Sequence, residues 1–557
     1  MVYIFVSGLF IFCPIEIAHF GECEENCKCG CNAPKFEEIK PFPILDQLPG
    51  VHYCINSSPP LMIAIALGFQ HFLVALGTTI FIPTIFVNQV GGSNFQKVKL
   101  IQTFMFVSGV STLLQSSFGT RLPSVMRGSY SFLIPMASII HSKRFESCSN
   151  PEKRFESAMR DVQGALIISS CFQLVIGFLG LWRIVVRLLS PLSMVPIVTF
   201  TGLGLYSLGF PLLIKCAEVG LPELALVVLI SQYLPYYLKK AGRVCDLYAI
   251  VFSIAFAWIY AIILTSSGAY KNSNSETRSS CSSDHSRLVS AAPWIYIPYP
   301  CQWGNPTFNA GSVVSMTVAA LVASVESTGV FLVTARFGSA TLAPASVLSR
   351  GTGWMGVGTM MAGLFGCPTG CSASAENAGF LAMTKVGSRR VVQISAVFMI
   401  FFSIVGKFGA IFASIPLPIF AALFCIFFGY VSSGGLGFLQ FCNLNSFRTK
   451  MILGLSFFLG LSIPQYFREH EIASGHGSIQ TRARWFNDML TVIFTSHVTV
   501  SAVIAILLDR TLPRENDDGR RDNGLQMWER FVKYNTDPRT DEFYRLPFNL
   551  NSFFPPV

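Results

Sequence analysis

The sequence predicts an all-α polytopic membrane protein of about fourteen transmembrane spans, arranged as two inverted seven-span repeats. Three observations predict it: a composition too poor in charge to face water, cations that fall on every second loop, and two broken spans seven places apart. Of 557 residues, 52% are hydrophobic and 13% are charged, about half of the ~25% charged residues usual in soluble domains. Disorder, a collagen-like chain and a cytosolic multidomain enzyme are excluded. The net charge of +10 becomes informative only once the cations are placed relative to a membrane.

A helix crossing ~30 Å of hydrocarbon needs about 20 mostly apolar residues. Such runs occupy residues 61–87, 100–120, 164–182, 188–214, 221–238, 247–264, 311–335, 391–406 and 489–508. The uncharged stretch 408–447 holds one helix and much of a turn, 451–467 is a short span, and 128–142 and 351–384 are less regular. Loops after even-numbered spans carry cations and almost no acids: Arg121 and Arg127; Arg183 and Arg187; Lys239, Lys240 and Arg243; Arg336 and Arg350; Lys385, Arg389 and Arg390; Arg448 and Lys450. Loops after odd spans are uncharged or mixed. The positive-inside rule then places the even loops and both termini in the cytoplasm.

The ends carry less. Residues 1–15 are apolar, but no small-residue cleavage site follows, so they do not read as a secretory signal. Cys23, Cys27, Cys29 and Cys31 match no common zinc spacing, and residues 1–60 read as a cytoplasmic tail. Cys281 and Cys301 share the external loop 266–310 and are a candidate pair. Residues 509–557 are polar and too short for an ordinary domain, giving a second cytoplasmic tail. No cofactor, metal or nucleic-acid partner is expected.

The third span is interrupted by Pro123, Gly128 and Pro135, and the tenth by Pro368 and Gly370. Each reads as an extended stretch entering a half-helix. Seven spans separate them, and seven is odd, so the halves are inverted. Paired interruptions in inverted halves point to a solute site near mid-membrane, where half-helix N-termini offer free amides to a polar solute. Two carboxylates fall in the same places. Glu326 lies mid-way along 311–335, and Glu376 opens the tenth half-helix. A charged side chain at bilayer depth costs about 3 kcal/mol and is kept for an interior path, so both are candidates for proton exchange. His71, inside the first span, is a candidate partner, and Tyr130 and Phe132 are candidate walls for a flat ligand.

The segment Glu376-Asn377-Ala378-Gly379, with Thr384 and Lys385 following, resembles the signature of the nucleobase–ascorbate transporter family: Glu, Gln or Pro, then Asn-x-Gly-x4-Thr-Lys/Arg. Gln70-His71, the stretch 323–329, and the opening 48–56, which resembles the plant branch, extend the similarity over about 47–509. The resemblance implies core spans in 61–182 and 311–411, gate spans in 188–265 and 412–508, an elevator-like movement, and a homodimer in a plasma membrane. It implies that Glu326 hydrogen-bonds a base and couples protons, with His71 assisting. Glu376 would bind the base's opposite edge, beside Ala375 and Tyr130. Ser129 and Asn377 would support the site, and Gly379, Thr384 and Lys385 would tune selectivity. The expected substrates are uracil, xanthine, uric acid, adenine or guanine with a proton. Glu376 stands where the ascorbate carriers of animals have Pro, which favours a base; ascorbate remains the alternative, as does an anion exchanger of the same fold. Val330 stands where proton-coupled relatives have His or Asp, which leaves proton against sodium open.

Overall fold

A computed structural model describes residues 42–142, 145, 150–238, 242–283, 289–290, 292–412, 414–474, 477–513, 523–525 and 538–554. The four N-terminal cysteines, the apolar run 1–15 and the cations Lys239 and Lys240 lie outside the described residues. Residues 45–557 form one unit.

The first half contains α1 (Leu61–Val90), α2 (Asn94–Ser117), the strand β1 (Met126–Gly128), α3 (Leu133–Ile140), α4 (Pro151–Phe178), α5 (Pro191–Leu203), α6 (Ala217–Val228) and α7 (Gly242–Ser266). The second contains α8 (Ala310–Phe337), α9 (Ala345–Phe365), β2 (Cys371–Ala373), α10 (Ala375–Thr384), α11 (Arg389–Ile404), α12 (Leu417–Leu436), α13 (Phe447–Ser474), α14 (Arg484–Thr495) and α15 (His497–Thr511). Among the described residues, seven helices are long and apolar enough to cross a membrane, or eight with α14 and α15 joined. On α7, Phe252, Phe256, Ile259 and Ile263 are all exposed; their spacing makes one apolar stripe with no protein over it, a face that suits lipid.

The two interrupted spans are short strands. Gly366, at φ 78°, ends α9 in the left-handed conformation open to glycine, and Pro368 two residues on cannot resume the helix. The chain then runs extended as β2 and pairs antiparallel with β1, Met126 opposite Ala373, Arg127 opposite Ser372 and Gly128 opposite Cys371. Ser129 N–H to the Gly370 carbonyl and Ser374 N–H to the Val125 carbonyl, both 2.9 Å, extend the pairing. Each strand feeds a half-helix through a serine cap. Ser129 Oγ accepts from Ser131 N–H, and Ser374 Oγ accepts from Asn377 N–H, satisfying donors a helix start leaves open.

Packing positions these strands. α4 lies on α9, and α2 and α1 lie on α11, while α5 lies on α12 and α13 on α15. α10 meets α12 at Gly379, where an added Cβ would stand 2.3 Å from the Phe427 carbonyl oxygen. The signature glycine is therefore a close-approach residue.

Three expectations change, and one detail is added. The last span is not one helix: α14 and α15 meet at 76° around Ser496. The apolar run continues through the break, but Ser496 caps the second helix by accepting from Thr499 N–H. Arg127 is not a loop cation but a strand residue, 3% exposed. Cys281 is bonded to Cys216 rather than to Cys301, which is free. The sequence distance of 65 residues hides the pair, because the 266–310 segment folds back on the start of α6. Finally, parts of both tails are packed. Tyr53 and Ile55 carbonyls accept from Gly387 and Arg389 N–H. The helix α16 (Pro538–Tyr544) buries Tyr544, whose hydroxyl donates to the Thr341 carbonyl at 2.6 Å.

Candidate solute site

A cavity of about 290 Å³ opens beside the strand pair, its walls including Arg127, Tyr130, Glu326, Ser372, Ala375 and Ser496. Its size sits near the lower end of small-molecule sites. Six segments line it: the first interrupted span, the second, the bend between α14 and α15, the end of α5 at 200–205, α13 at Pro464, Arg468 and Glu471, and α8 with Glu326 and, one turn on, Val330.

Among the described residues, Glu326 is held by hydroxyls alone. Ser131 Oγ donates to Oε2 at 2.6 Å and Ser496 Oγ to Oε1 at 3.0 Å. One donor comes from the first half of the chain and the other from the last helix pair. A carboxyl so placed has acceptor capacity left for a solute N–H and no hydrogen-bonded cation to fix its charge.

Glu376 differs in every respect. It is fully buried and is not part of the cavity wall. Its Oε2 accepts from Arg127 Nε at 2.7 Å and from Ser374 Oγ at 2.8 Å. Its Oε1 faces the hydroxyls of Thr78 at 3.1 Å and Tyr130 at 3.3 Å, which stand 2.8 Å from each other. Two hydroxyl protons serve those three contacts, so at most one of the carboxylate's four acceptor positions is open. The Arg127 guanidinium also lies over the Tyr130 ring, 4.4 Å from its centroid, a cation–π contact. Arg127 and Tyr130, which bond it, line the cavity, whereas Glu376 does not.

The other expected residues divide. Ala375 and Tyr130 are on the wall, and Ser129 caps the turn behind it. His71 is buried edge-on against Phe380, ring centroids 4.5 Å apart, and makes no hydrogen bond to either glutamate among the described residues. Its carbonyl accepts from Asn377 Nδ2 at 3.2 Å, which ties α10 to α1. Thr384 bonds its own helix at the Phe380 carbonyl, and Lys385 is exposed at the α10 terminus. Neither lines the cavity. Phe132 is buried in the core and does not line it.

Arg127, Ser131, Thr78 and Ser496 complete the site without having been singled out from sequence. Arg127 looks like a loop cation because it precedes Gly128, although Pro123 and Gly128 on either side mark it as part of the interruption. Ser496 sits in Thr495-Ser-His-Val-Thr499, a polar knot inside an apolar run that marks the bend. Among the described residues, no cluster of three His, Cys, Asp or Glu side chains could hold a metal ion.

A lipid-facing helical protein with a solute-sized hollow between two broken spans is, by fold and site, a membrane permease. The Permease family model Xan_ur_permease matches residues 62–469. Nucleobase-ascorbate transporter 7 of Arabidopsis thaliana is 55% identical over 94% of this chain and 97% of its own length. Nucleobase-ascorbate transporter 6 of the same plant is 56% identical over 95% and 99%. The chain belongs to the nucleobase–ascorbate transporter family, in its plant-type branch, and its relatives are named transporters rather than enzymes. The solved SLC26A9 structure aligns with 80% of this chain and 65% of its own at 10% identity, and its TM-score of 0.45 is too low to add to the assignment.

Proposed function

We propose that this protein is a plasma-membrane symporter that imports nucleobases with protons. The observation that carries the reading is Glu326: a carboxyl on the wall of a solute-sized cavity, opposite a strand pair, whose hydrogen-bond partners among the described residues are hydroxyls. It accepts a ring N–H and carries the coupling proton, while Tyr130 and the strand backbone bound the ring. Val330 adds no titrating group on the same helix, and although Arg468, Glu471 and His497 also line the cavity, Glu326, bonded to Ser131 and Ser496, is assigned both tasks. Glu376 acts from behind the wall by holding Arg127 and Tyr130.

The fold reading is fourteen spans in two inverted halves, with a core of 61–182 and 311–411 moving against a gate of 188–265 and 412–508. In its support, Glu326 lies in the one and Ser496 in the other, so the hydrogen bond between them crosses the boundary that an elevator movement would open, while the Ser131 bond stays within the core. The cytoplasmic placement of both termini is supported by the even-loop cations. Arg350 and Arg389 donate to the Tyr544 and Phe543 carbonyls, and Arg448 pairs with Asp509, so one tail meets three of these loops. A homodimer is part of the same reading.

The test is uptake of radiolabelled uracil, xanthine, uric acid, adenine, guanine and ascorbate, with and without an imposed proton gradient. Base uptake that rises with the gradient is the expected result. Ascorbate uptake with no base uptake overturns it.

A further inference from the structure

Beside Glu326 the cavity wall presents a guanidinium, and that sets a hydrogen-bond code. Arg127 lines the cavity and is anchored from behind through Nε to Glu376 Oε2 and through Nη1 to the Gly128 carbonyl, both at 2.7 Å. Guanidinium has five N–H donors and no acceptor. Those two bonds leave one N–H on Nη1 and two on Nη2, and no other hydrogen bond engages them among the described residues. The Tyr130 ring beneath fixes the plane in which they lie. The wall is thus acceptor-seeking at Arg127 and donor-seeking at Glu326.

A paired guanidinium edge reads two adjacent acceptors. A 6-oxopurine offers such a pair at O6 and N7; a 6-aminopurine offers an N6–H₂ donor beside N7, the pattern an Asn or Gln amide reads instead. Resting on the nucleobase reading above, we propose that Arg127 is a specificity-determining residue that selects 6-oxopurines over 6-aminopurines by pairing with O6 and N7, while Glu326 accepts a ring N–H. Glu376 is then a positioning residue, because it acts on the solute only through the arginine it clamps.

Hypoxanthine and adenine are the probe pair: both are plain purines that differ at position 6 and, with it, at N1, which is N–H in hypoxanthine and an acceptor in adenine, so the Arg127 variants are what separate the two contributions. Inhibition of labelled base uptake by each is measured on the full chain, in cells lacking their own base carriers. One bidentate pair predicts that hypoxanthine inhibits at roughly tenfold to a hundredfold lower concentration than adenine. Arg127→Gln substitutes a donor–acceptor amide and is expected to shrink or invert that ratio. Because it strips Glu376 of its cation, the neutral pair Arg127→Gln with Glu376→Gln is measured alongside, and thermal stabilisation of purified protein by each base reads the ratio where transport is weak. Equal inhibition by the two bases in the unaltered protein overturns the proposal, as does a ratio unmoved in both variants. If neither variant can be isolated, 7-deazahypoxanthine, which keeps O6 and N1–H but lacks the N7 acceptor, decides: weaker inhibition than hypoxanthine supports the pairing and equal inhibition overturns it. Base uptake with an unmoved ratio overturns the Arg127 assignment alone, whereas uptake of no base overturns the nucleobase reading and this inference together.

Discussion

Glu326 and Glu376 are the same residue type in two parts of one site, and their surroundings differ. Around Glu326 stand hydroxyls, a cavity and the bend between α14 and α15. Around Glu376 stand a hydrogen-bonded arginine, three hydroxyls and packed helices, with no access to the cavity. On the proposed reading, depth in the membrane does not by itself make an acid a proton site: Glu326 stands on the cavity wall and Glu376 behind it.

The largest expected effect lies on the Glu326 side. Glu326→Gln keeps the size of the side chain and removes its titration, so accumulation above equilibrium should vanish; undiminished uphill uptake would erase the distinction. Next comes Glu376→Gln. It leaves Arg127 buried without a counter-charge, at a cost of about 3–5 kcal/mol, read as a lower melting temperature in detergent. Adding Arg127→Gln should recover most of that loss, a coupling expected of residues in direct contact. Additive losses would show that the pair is not a unit. Gly379→Ala tests the same region by packing. An added Cβ 2.3 Å from the Phe427 carbonyl oxygen forces α10 off α12, at about 1–3 kcal/mol, seen as reduced yield of folded protein. The smallest effect belongs to Ser496→Ala, which removes a helix cap worth about 1 kcal/mol and one donor to Glu326. Its expected signature is a changed pH profile of uptake with little change in melting temperature. A melting loss with an unmoved profile would make Ser496 a cap and nothing more.

Much of this was legible from the chain alone. Apolar run lengths and the Pro and Gly interruptions marked the helices and both strands, because bilayer thickness and backbone geometry are local constraints. The intramembrane carboxylates were legible for the same reason. Their division of labour was not, since it depends on Arg127 and Thr78, 249 and 298 residues away from Glu376 in sequence. The bend at Ser496 was hidden because hydropathy averages over a break that one cap creates. The Cys216–Cys281 bond and the burial of Tyr544 were hidden too, as both come from segments that fold back across the chain. His71 was legible by type, but not its placement: it is buried edge-on against Phe380.

The division between the two carboxylates is tested most directly by base-dependent proton entry into proteoliposomes, followed with an internal pH dye. The account predicts that the Arg127→Gln, Glu376→Gln double variant still acidifies the lumen when a base is added, and that Glu326→Gln does not. Acidification that survives in Glu326→Gln and disappears in the double variant would contradict it.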